Sequence, residues 1–254
     1  MNDAKKISII IPAHNEERYI NGCLAAIVAA SNNVHQTVEI IVVLNRCNDA
    51  TEQIAKRYDA FTVVDGSRCI AAVRNRGIAE ATGDILVTCD ADSRLHPQSL
   101  ALVVEALSKQ DIIGGGMPIR YDRRSLGIRM SELCLDFAVK LTGLSAGAFW
   151  AAADTFRSVS GFDENLLIVE DVDLARRIKA YGKSQKKRYI CLNKAPLLTS
   201  ARKFDHFGDW SFFRMATLDA PRIWRSLKRI DTDFADEYFH DFNDQNKTDD
   251  RNNR

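Results

Sequence analysis

Two carboxylates two positions apart, Asp90 and Asp92, stand at the end of an apolar run, Ile85–Cys89. Side chains alternate along an extended chain, so both can project to one side with Cα atoms roughly 6–7 Å apart. One divalent cation can sit near both, because Mg²⁺ or Mn²⁺ takes one or two carboxylates and completes its shell with water and phosphate oxygens. The same pair can equally solvate a turn or cap the helix expected from Pro97. A second acidic set, Glu170-Asp171-Val172-Asp173, enters a helical pattern. Acids in a first helical turn gain about 0.3–1 kcal/mol from the helix dipole, which explains them without chemistry. That position also sets a carboxylate at a pocket rim, where it can take a proton from a hydroxyl.

Asn15, Glu16, Asp49, Arg74 and Asn75 each lie in a loop or helix start that follows an apolar run, so they are candidates for one shared crevice. For Asp49 the alternative is a helix cap, with Glu52 three residues on; for Arg74 it is a solvated helix position. Later, Ser200-Ala201-Arg202-Lys203 and His206 are candidates for phosphate or metal contacts, an ordinary surface loop being the alternative.

The elements that must position these residues follow from hydrophobic periodicity. Ile7–Ile11, ending in Pro12, and Val38–Leu44 are short continuous apolar runs, as expected of strands buried on both faces. Phe61–Val64, Ile85–Cys89 and Ile112–Met117 extend the series, with helical spacing at Tyr19–Val28, Ile54–Tyr58, Cys69–Ala81, Pro97–Leu107, Ser125–Leu141 and Glu170–Tyr181. Strands alternating with helices predict a doubly wound, Rossmann-like, mostly parallel α/β sheet flanked by helices, with ligands beyond the carboxyl ends of its strands.

The chain has 254 residues, 46% hydrophobic and 27% charged, with a formal net charge of +1. Those values fit one large globular domain and exclude a disordered or fibrous chain. A near-neutral charge without a nucleic-acid module predicts no nucleic-acid partner. Six cysteines without a close pair fit a reduced, cytoplasmic protein. The most apolar long window, Leu133–Ala153, carries Asp136 and Lys140, so no membrane-spanning anchor is expected.

The ordered set Ile10-Ile11-Pro12-Ala13-His14-Asn15-Glu16-Glu17, Asp49-Ala50-Thr51, Arg74-Asn75-Arg76-Gly77, Gly83-Asp84, Asp90-Ala91-Asp92, Gly161-Phe162-Asp163-Glu164 and Glu170-Asp171-Val172-Asp173-Leu174 resembles the family 2 glycosyltransferases across Ile7–Gly182. The resemblance implies a GT-A fold and transfer of a sugar from a nucleotide-diphosphate sugar to a hydroxyl acceptor, with inversion. It implies that Pro12, Ala13, Asn15, Glu16 and Asp49 hold the nucleoside and that Arg74, Asp90 and Ala91 lie along the donor. Asp90 and Asp92 would hold Mg²⁺ or Mn²⁺, with His206 a further candidate ligand, and Asp171 would be the general base. Where many members carry Asp-Asp-Gly-Ser, this chain has Leu44-Asn45-Arg46-Cys47, which leaves the base open among UDP, GDP and dTDP. Two other readings are a nucleotidyltransferase, expected to need a glycine-rich phosphate loop that Pro12–Glu17 lacks, and a catalytically silent binding module.

Residues 1–207 are expected to form the transferase domain and 208–230 an amphipathic helical extension. In the extension Trp210, Phe212, Phe213, Ile223, Trp224, Leu227 and Ile230 interleave with Arg214, Arg222, Arg225, Lys228 and Arg229. Such a segment can rest on an anionic membrane, giving a peripheral location on its inner face, or pack on the domain. Residues 231–254, with eight acids against three bases, read as a solvated tail.

Overall fold

Strand β1 (Ile7–Ala13) is buried at all seven positions. A strand with no solvated face has to lie between layers, so β1 belongs in the middle of the sheet. The computed structural model describes residues 5–145, 147–166 and 169–217. After β1 come α1 (Ile20–Ser31), β2 (Val38–Asn45), α2 (Thr51–Lys56), β3 (Phe61–Asp65), α3 (Ile70–Glu80) and β4 (Ile85–Thr88). The chain continues through β5 (Ser93–Arg94), α4 (Ser99–Ser108), β6 (Ile112–Gly116), β7 (Ile119–Tyr121), α5 (Leu126–Thr142), β8 (Phe149–Ala152) and α6 (Ala153–Ser158). It ends with α7 (Glu170–Ser184), β9 (Arg188–Cys191), β10 (Leu197–Thr199), α8 (Arg202–Phe207) and α9 (Ser211–Thr217).

Seven strands form one sheet in the order β3-β2-β1-β4-β8-β6-β9, and β5, β10 and β7 form a second, small one. The strand order runs outward from β1 to β3, then returns to the other side of β1 at β4. That reversal opens a crevice beyond the carboxyl ends of β1 and β4, where the loop after Ala13 and the Asp90-Ala91-Asp92 segment lie. Helix α3 seats directly on the sheet: a Cβ at Gly77 would overlap the side chains of Ile10 and Val43. Glycine there lets the helix approach closely, which carries Arg74, one turn earlier, to the crevice.

The sheet is parallel except for β8, which runs antiparallel to both β4 and β6. Alternating strands and helices predict a mostly parallel sheet but do not mark which strand is reversed, and the apolar window Leu133–Ala153 hides two elements of different type. Its first part is the end of α5, stopped by Gly143 in the left-handed region at φ 68. Its last part is β8, whose Phe149 and Trp150 are buried between β4 and β6.

Ile128 of α5 packs with Ala201 and Phe204, and with Tyr121 and Phe212, so α8 and α9 close over the start of α5. Of the expected extension, Gly208–Thr217 is described; Ile223, Trp224, Leu227, Ile230 and the acidic stretch 231–254 lie outside the described residues. No described helix is long and apolar enough to cross a membrane. All six cysteines are free thiols.

Candidate active site

The loops after β1 and β2 are stitched together. Asn15 adopts φ 52, a left-handed conformation that asparagine tolerates, and its Oδ1 accepts the Asn48 N–H at 3.0 Å. Asp49 accepts from the Glu17 N–H at 3.0 Å, the Thr51 N–H at 3.0 Å and the Thr51 hydroxyl at 2.6 Å. Glu17 returns a bond by accepting the Ala50 N–H at 3.0 Å, and the Thr51 hydroxyl accepts the Glu16 N–H. The helix-capping residue of α2 is Ala50, without a side-chain cap. Asp49 therefore turns one residue ahead of the cap and ties two loops to each other. This network holds Pro12, Ala13, Asn15 and Glu16 at the rim of the crevice.

Asp90 and Asp92 each meet an arginine. Arg74 Nη2 donates to Asp90 Oδ1 at 2.8 Å, and Arg74 Nη1 donates to Glu170 Oε1 at 2.7 Å. The guanidinium also lies over the Phe162 ring, 5.1 Å from its centroid. Arg202 forms a two-pronged pair with Glu16 at 2.7 and 2.8 Å, approaches Asp92 Oδ2 with Nε at 3.0 Å, and stacks on Tyr19 at 4.7 Å. Residues 200–203 reach this place because Ser93 and Arg94 of β5 pair with Thr199 and Leu198 of β10. The Ser200 N–H then donates to the Asp92 carbonyl at 3.1 Å.

The third group stands on α7. Asn75 of α3 donates to the Phe162 carbonyl and to Glu164 Oε1, both at 2.9 Å, and accepts the Phe162 N–H at 2.8 Å. Gly161, at φ 61, lies so close that a Cβ there would overlap Asn75 Oδ1. The Gly-Phe-Asp-Glu segment thus clips the entrance of α7 to α3. Val169 immediately before the helix has φ 59, a strained conformation for a β-branched residue. The next residue is the buried Glu170 held by Arg74, and the one after is Asp171, whose Oδ1 accepts the Val172 N–H at 2.7 Å.

One guanidinium therefore touches both the Asp90-Ala91-Asp92 segment and the α7 entrance, so three distant stretches share one crevice. Its charges interlock. Burial works against ionised Asp90, but Arg74 outweighs it and the pKa falls, even though the side chain is 52% exposed toward the crevice. At Asp92 burial prevails and the Asp90 charge adds to it against the opposing Arg202, so the pKa rises. Burial, reinforced by the Glu170 charge and only partly opposed by Arg74, lifts Asp171 to about 6. Burial pushes Lys203 down, against the pull of Asp92.

Glu16, Asp90, Asp92, Glu170 and Asp171 outnumber Arg74, Arg202 and Lys203 by two charges, an excess that a divalent cation matches. Hard carboxylate oxygens suit Mg²⁺ or Mn²⁺. Among the described residues no group of three or more His, Cys, Asp or Glu is arranged to hold a metal ion. The residues present therefore fit an ion whose shell is completed by water and phosphate. His206 lies in the last turn of α8, exposed, with its ring edge-on to Phe207 at 4.6 Å. A cleft of about 730 Å³ at the opposite end of the strands, with Lys5, Ile85, Ile112 and Ala152 in its wall, contains no acid.

Sequence reasoning did not foresee that Glu170 anchors Arg74, nor that Tyr19 and Phe162 serve as platforms for the two arginines. The Gly-Phe-Asp-Glu motif marked the Phe162 segment; nothing in the spacing marked Tyr19.

A family model described as glycosyl transferase family 2 matches residues 8–158. The undecaprenyl-phosphate 4-deoxy-4-formamido-L-arabinose transferase of Aeromonas hydrophila is 29% identical over 168 residues, 61% of this chain and 50% of that protein. Glycosyltransferase AglE of Haloferax volcanii is 33% identical over 123 residues, 45% of this chain and 40% of that protein. The chain thus spans about half or less of the length of these curated relatives. Among solved structures, the mannosyltransferase PcManGT of Pyrobaculum calidifontis, in complex with GDP-Man and Mn²⁺, aligns with a TM-score of 0.61 at 18% identity, covering 78% of this chain and 57% of that one. Glucosyl-3-phosphoglycerate synthase of Mycobacterium tuberculosis, in complex with Mn²⁺, UDP and glucosyl-3-phosphoglycerate, aligns with a TM-score of 0.58 at 22% identity, covering 84% and 78%.

Proposed function

The chain belongs to glycosyl transferase family 2 and has the GT-A fold, and from that premise we propose that it moves a sugar from a nucleotide-diphosphate donor to a hydroxyl acceptor in one inverting displacement. Pro12, Ala13, Asn15, Glu16 and Asp49 form the nucleoside side of the donor site, and Ala91 lies along the donor. Arg74 keeps Asp90 ionised and oriented. Asp90 and Asp92 would hold Mg²⁺ or Mn²⁺, which when bound supplies Lewis-acid neutralisation of the departing diphosphate. Arg202 and Lys203 add cationic side chains beside Asp92 for the same phosphates, and His206 stands as an outer candidate on the same helix.

Asp171 accepts the proton of the acceptor hydroxyl. A carboxylate with a pKa of about 6 is ionised at neutral pH yet more basic than an ordinary aspartate, a poise that suits general base catalysis. Partial burial of this group raises its basicity while leaving it reachable from the crevice. The observation that carries the reading is the Arg74 bridge between Asp90 and Glu170, which sets Asp171 beside the paired carboxylates.

Free sugars and glycans present the hydroxyl that this reading requires and are the acceptors to try first; a polyprenyl phosphate, named for the Aeromonas hydrophila protein, is the contrasting acceptor, since its phosphate oxygen is already ionised and would need no base. The test is release of nucleoside diphosphate from UDP-, GDP- and dTDP-sugars with Mn²⁺ or Mg²⁺, with and without these acceptors. One donor should be consumed in a metal-dependent way, and at a hundred times its dissociation constant it should add about 2.7 kcal/mol of stability. Asp92→Ala should abolish metal-dependent donor binding by calorimetry; unchanged affinity would remove the metal assignment. Absence of release with every donor and both metals would leave a silent binding module.

A further inference from the structure

Helix α5 is apolar on two opposite faces. Gly127, Ile128 and Ser131 face inward toward the segment at Asp209 and the cluster of Ala201 and Phe204. Leu126, Met130, Leu133, Phe137 and Leu141 recur in steps of three and four along the other face, and every one is exposed, from 39% at Met130 to 76% at Leu141. Contiguous apolar stripes of this kind on a folded surface mark contact sites.

The exposed charges on α5 itself are cationic. Arg129 and Lys140 are exposed on its shoulder. The helix's two acids are engaged by the protein: Glu132 accepts the Tyr121 N–H at 2.9 Å, and Asp136 pairs with Arg120 at 2.8 Å. At the far end Lys179 of α7 donates to the Thr142 carbonyl at 2.6 Å, and Lys183, Lys186 and Lys187 continue the basic rim. At the near end Trp210 is 53% exposed, next to the Asp209 carbonyl that packs against Gly127. An apolar stripe, a cationic shoulder and a flanking tryptophan are what the headgroup layer of an anionic bilayer accommodates.

We propose that α5 docks this protein on an anionic lipid surface, lying flat with Leu126, Met130, Leu133, Phe137 and Leu141 at the acyl boundary and Arg129, Lys140 and Lys179 among the phosphates. A stripe about 25 Å long and about 10 Å wide covers about 250 Å², well short of the roughly 800 Å² per partner of a stable protein interface. A bilayer requires no such shape-matched area. The Arg120–Asp136 pair ties α5 to β7, in the same small sheet as β5, which begins directly after Asp92. Docking by α5 is thereby linked, through β7, β10 and β5, to the segment that carries Asp92. The inference goes beyond the transfer reaction and stands without it, because lipid binding is measured with no donor present.

The experiment is sedimentation of the full chain with vesicles of phosphatidylcholine alone or mixed with phosphatidylglycerol. Binding should be at least about tenfold stronger to the anionic vesicles and weaken with added salt. The double variant Leu133→Glu/Phe137→Glu should lose at least about tenfold while keeping its circular dichroism and melting temperature, since both side chains are exposed. Leu133→Ser/Phe137→Ser should lose binding without adding charge, and Arg129→Glu/Lys140→Glu should flatten the salt dependence. Three results would overturn the proposal: wild-type protein remaining in the supernatant with anionic vesicles; the serine and glutamate variants sedimenting like wild type, which assigns the contact to another segment; or a dimer in ultracentrifugation that Leu133→Glu/Phe137→Glu dissolves, which assigns the stripe to a second copy.

Discussion

Asp171 combines two consequences of one environment. As the proposed base it must be ionised, so kcat/KM should fall about tenfold per pH unit below about 6, with a plateau above. Asp171→Asn should lower kcat by about 10²–10⁴ with donor affinity unchanged, and an equal loss in donor affinity would reassign the residue to binding. The same raised pKa is a cost to folding. The folded state holds the Asp171 proton up to about 6 whereas an unfolded aspartate releases it near 3.8, so this group lowers stability as pH rises through that window and the loss persists above it. Asp171→Asn is therefore expected to melt higher than wild type at neutral pH, and to show a smaller difference near pH 4. Arg74 has the opposite character. Its side chain and that of Glu170 are each 11% exposed, so Arg74→Gln should cost about 3–5 kcal/mol by stranding buried carboxylate charge. Adding Glu170→Gln should recover part of that loss; strictly additive denaturation energies would show that the pair is not coupled.

At the level of elements, the entrance of α7 depends on two residues near φ 60 with opposite needs. Val169 is β-branched and strained there, whereas Gly161 has no side chain to strain. Val169→Asn should stabilise by about 1 kcal/mol, since asparagine tolerates the left-handed region. Gly161→Ala should destabilise by about 1–3 kcal/mol, because its methyl adds both strain and a clash with Asn75. Denaturant midpoints moving in the same direction for both would show that φ is not what governs this turn. If Val169→Asn is also slower in catalysis, the strain serves to aim Glu170 and Asp171. The β5–β10 pairing has a comparable role, since two short strands carry Arg202 to Asp92. Much of this level was readable beforehand. Ile7–Ile11, Val38–Leu44 and Ile85–Cys89 announced β1, β2 and β4 because a strand buried on both faces must be a continuous apolar run. Strand β8 was not readable: only a short stretch with Thr142, Gly143 and Ser145 separates its apolar residues from an apolar helix, and direction within a sheet leaves no mark on local composition.

For the molecule as a whole, the reversed strand is where the two halves of the sheet meet, and Trp150 is its largest buried side chain. Trp150→Ala should cost about 3–5 kcal/mol, and Trp150→Phe less than half of that, in thermal or denaturant unfolding. Equal losses would indicate that the indole itself, not ring volume, joins the halves. By itself the sequence determined the sheet's first four strands, the loops at their carboxyl ends and the acids those loops carry. These are properties of short stretches, set by side-chain periodicity and by turns that local residues make. Only the tertiary structure decided which charges meet. Arg202 and Glu16 pair across 186 positions, and Arg74 and Glu170 across 96, so no local pattern could report them. It also decided which apolar face of α5 is covered, because helical periodicity shows that a face is apolar but not what lies against it. Those choices arise from burial, which is a property of the assembled layers and of no segment alone.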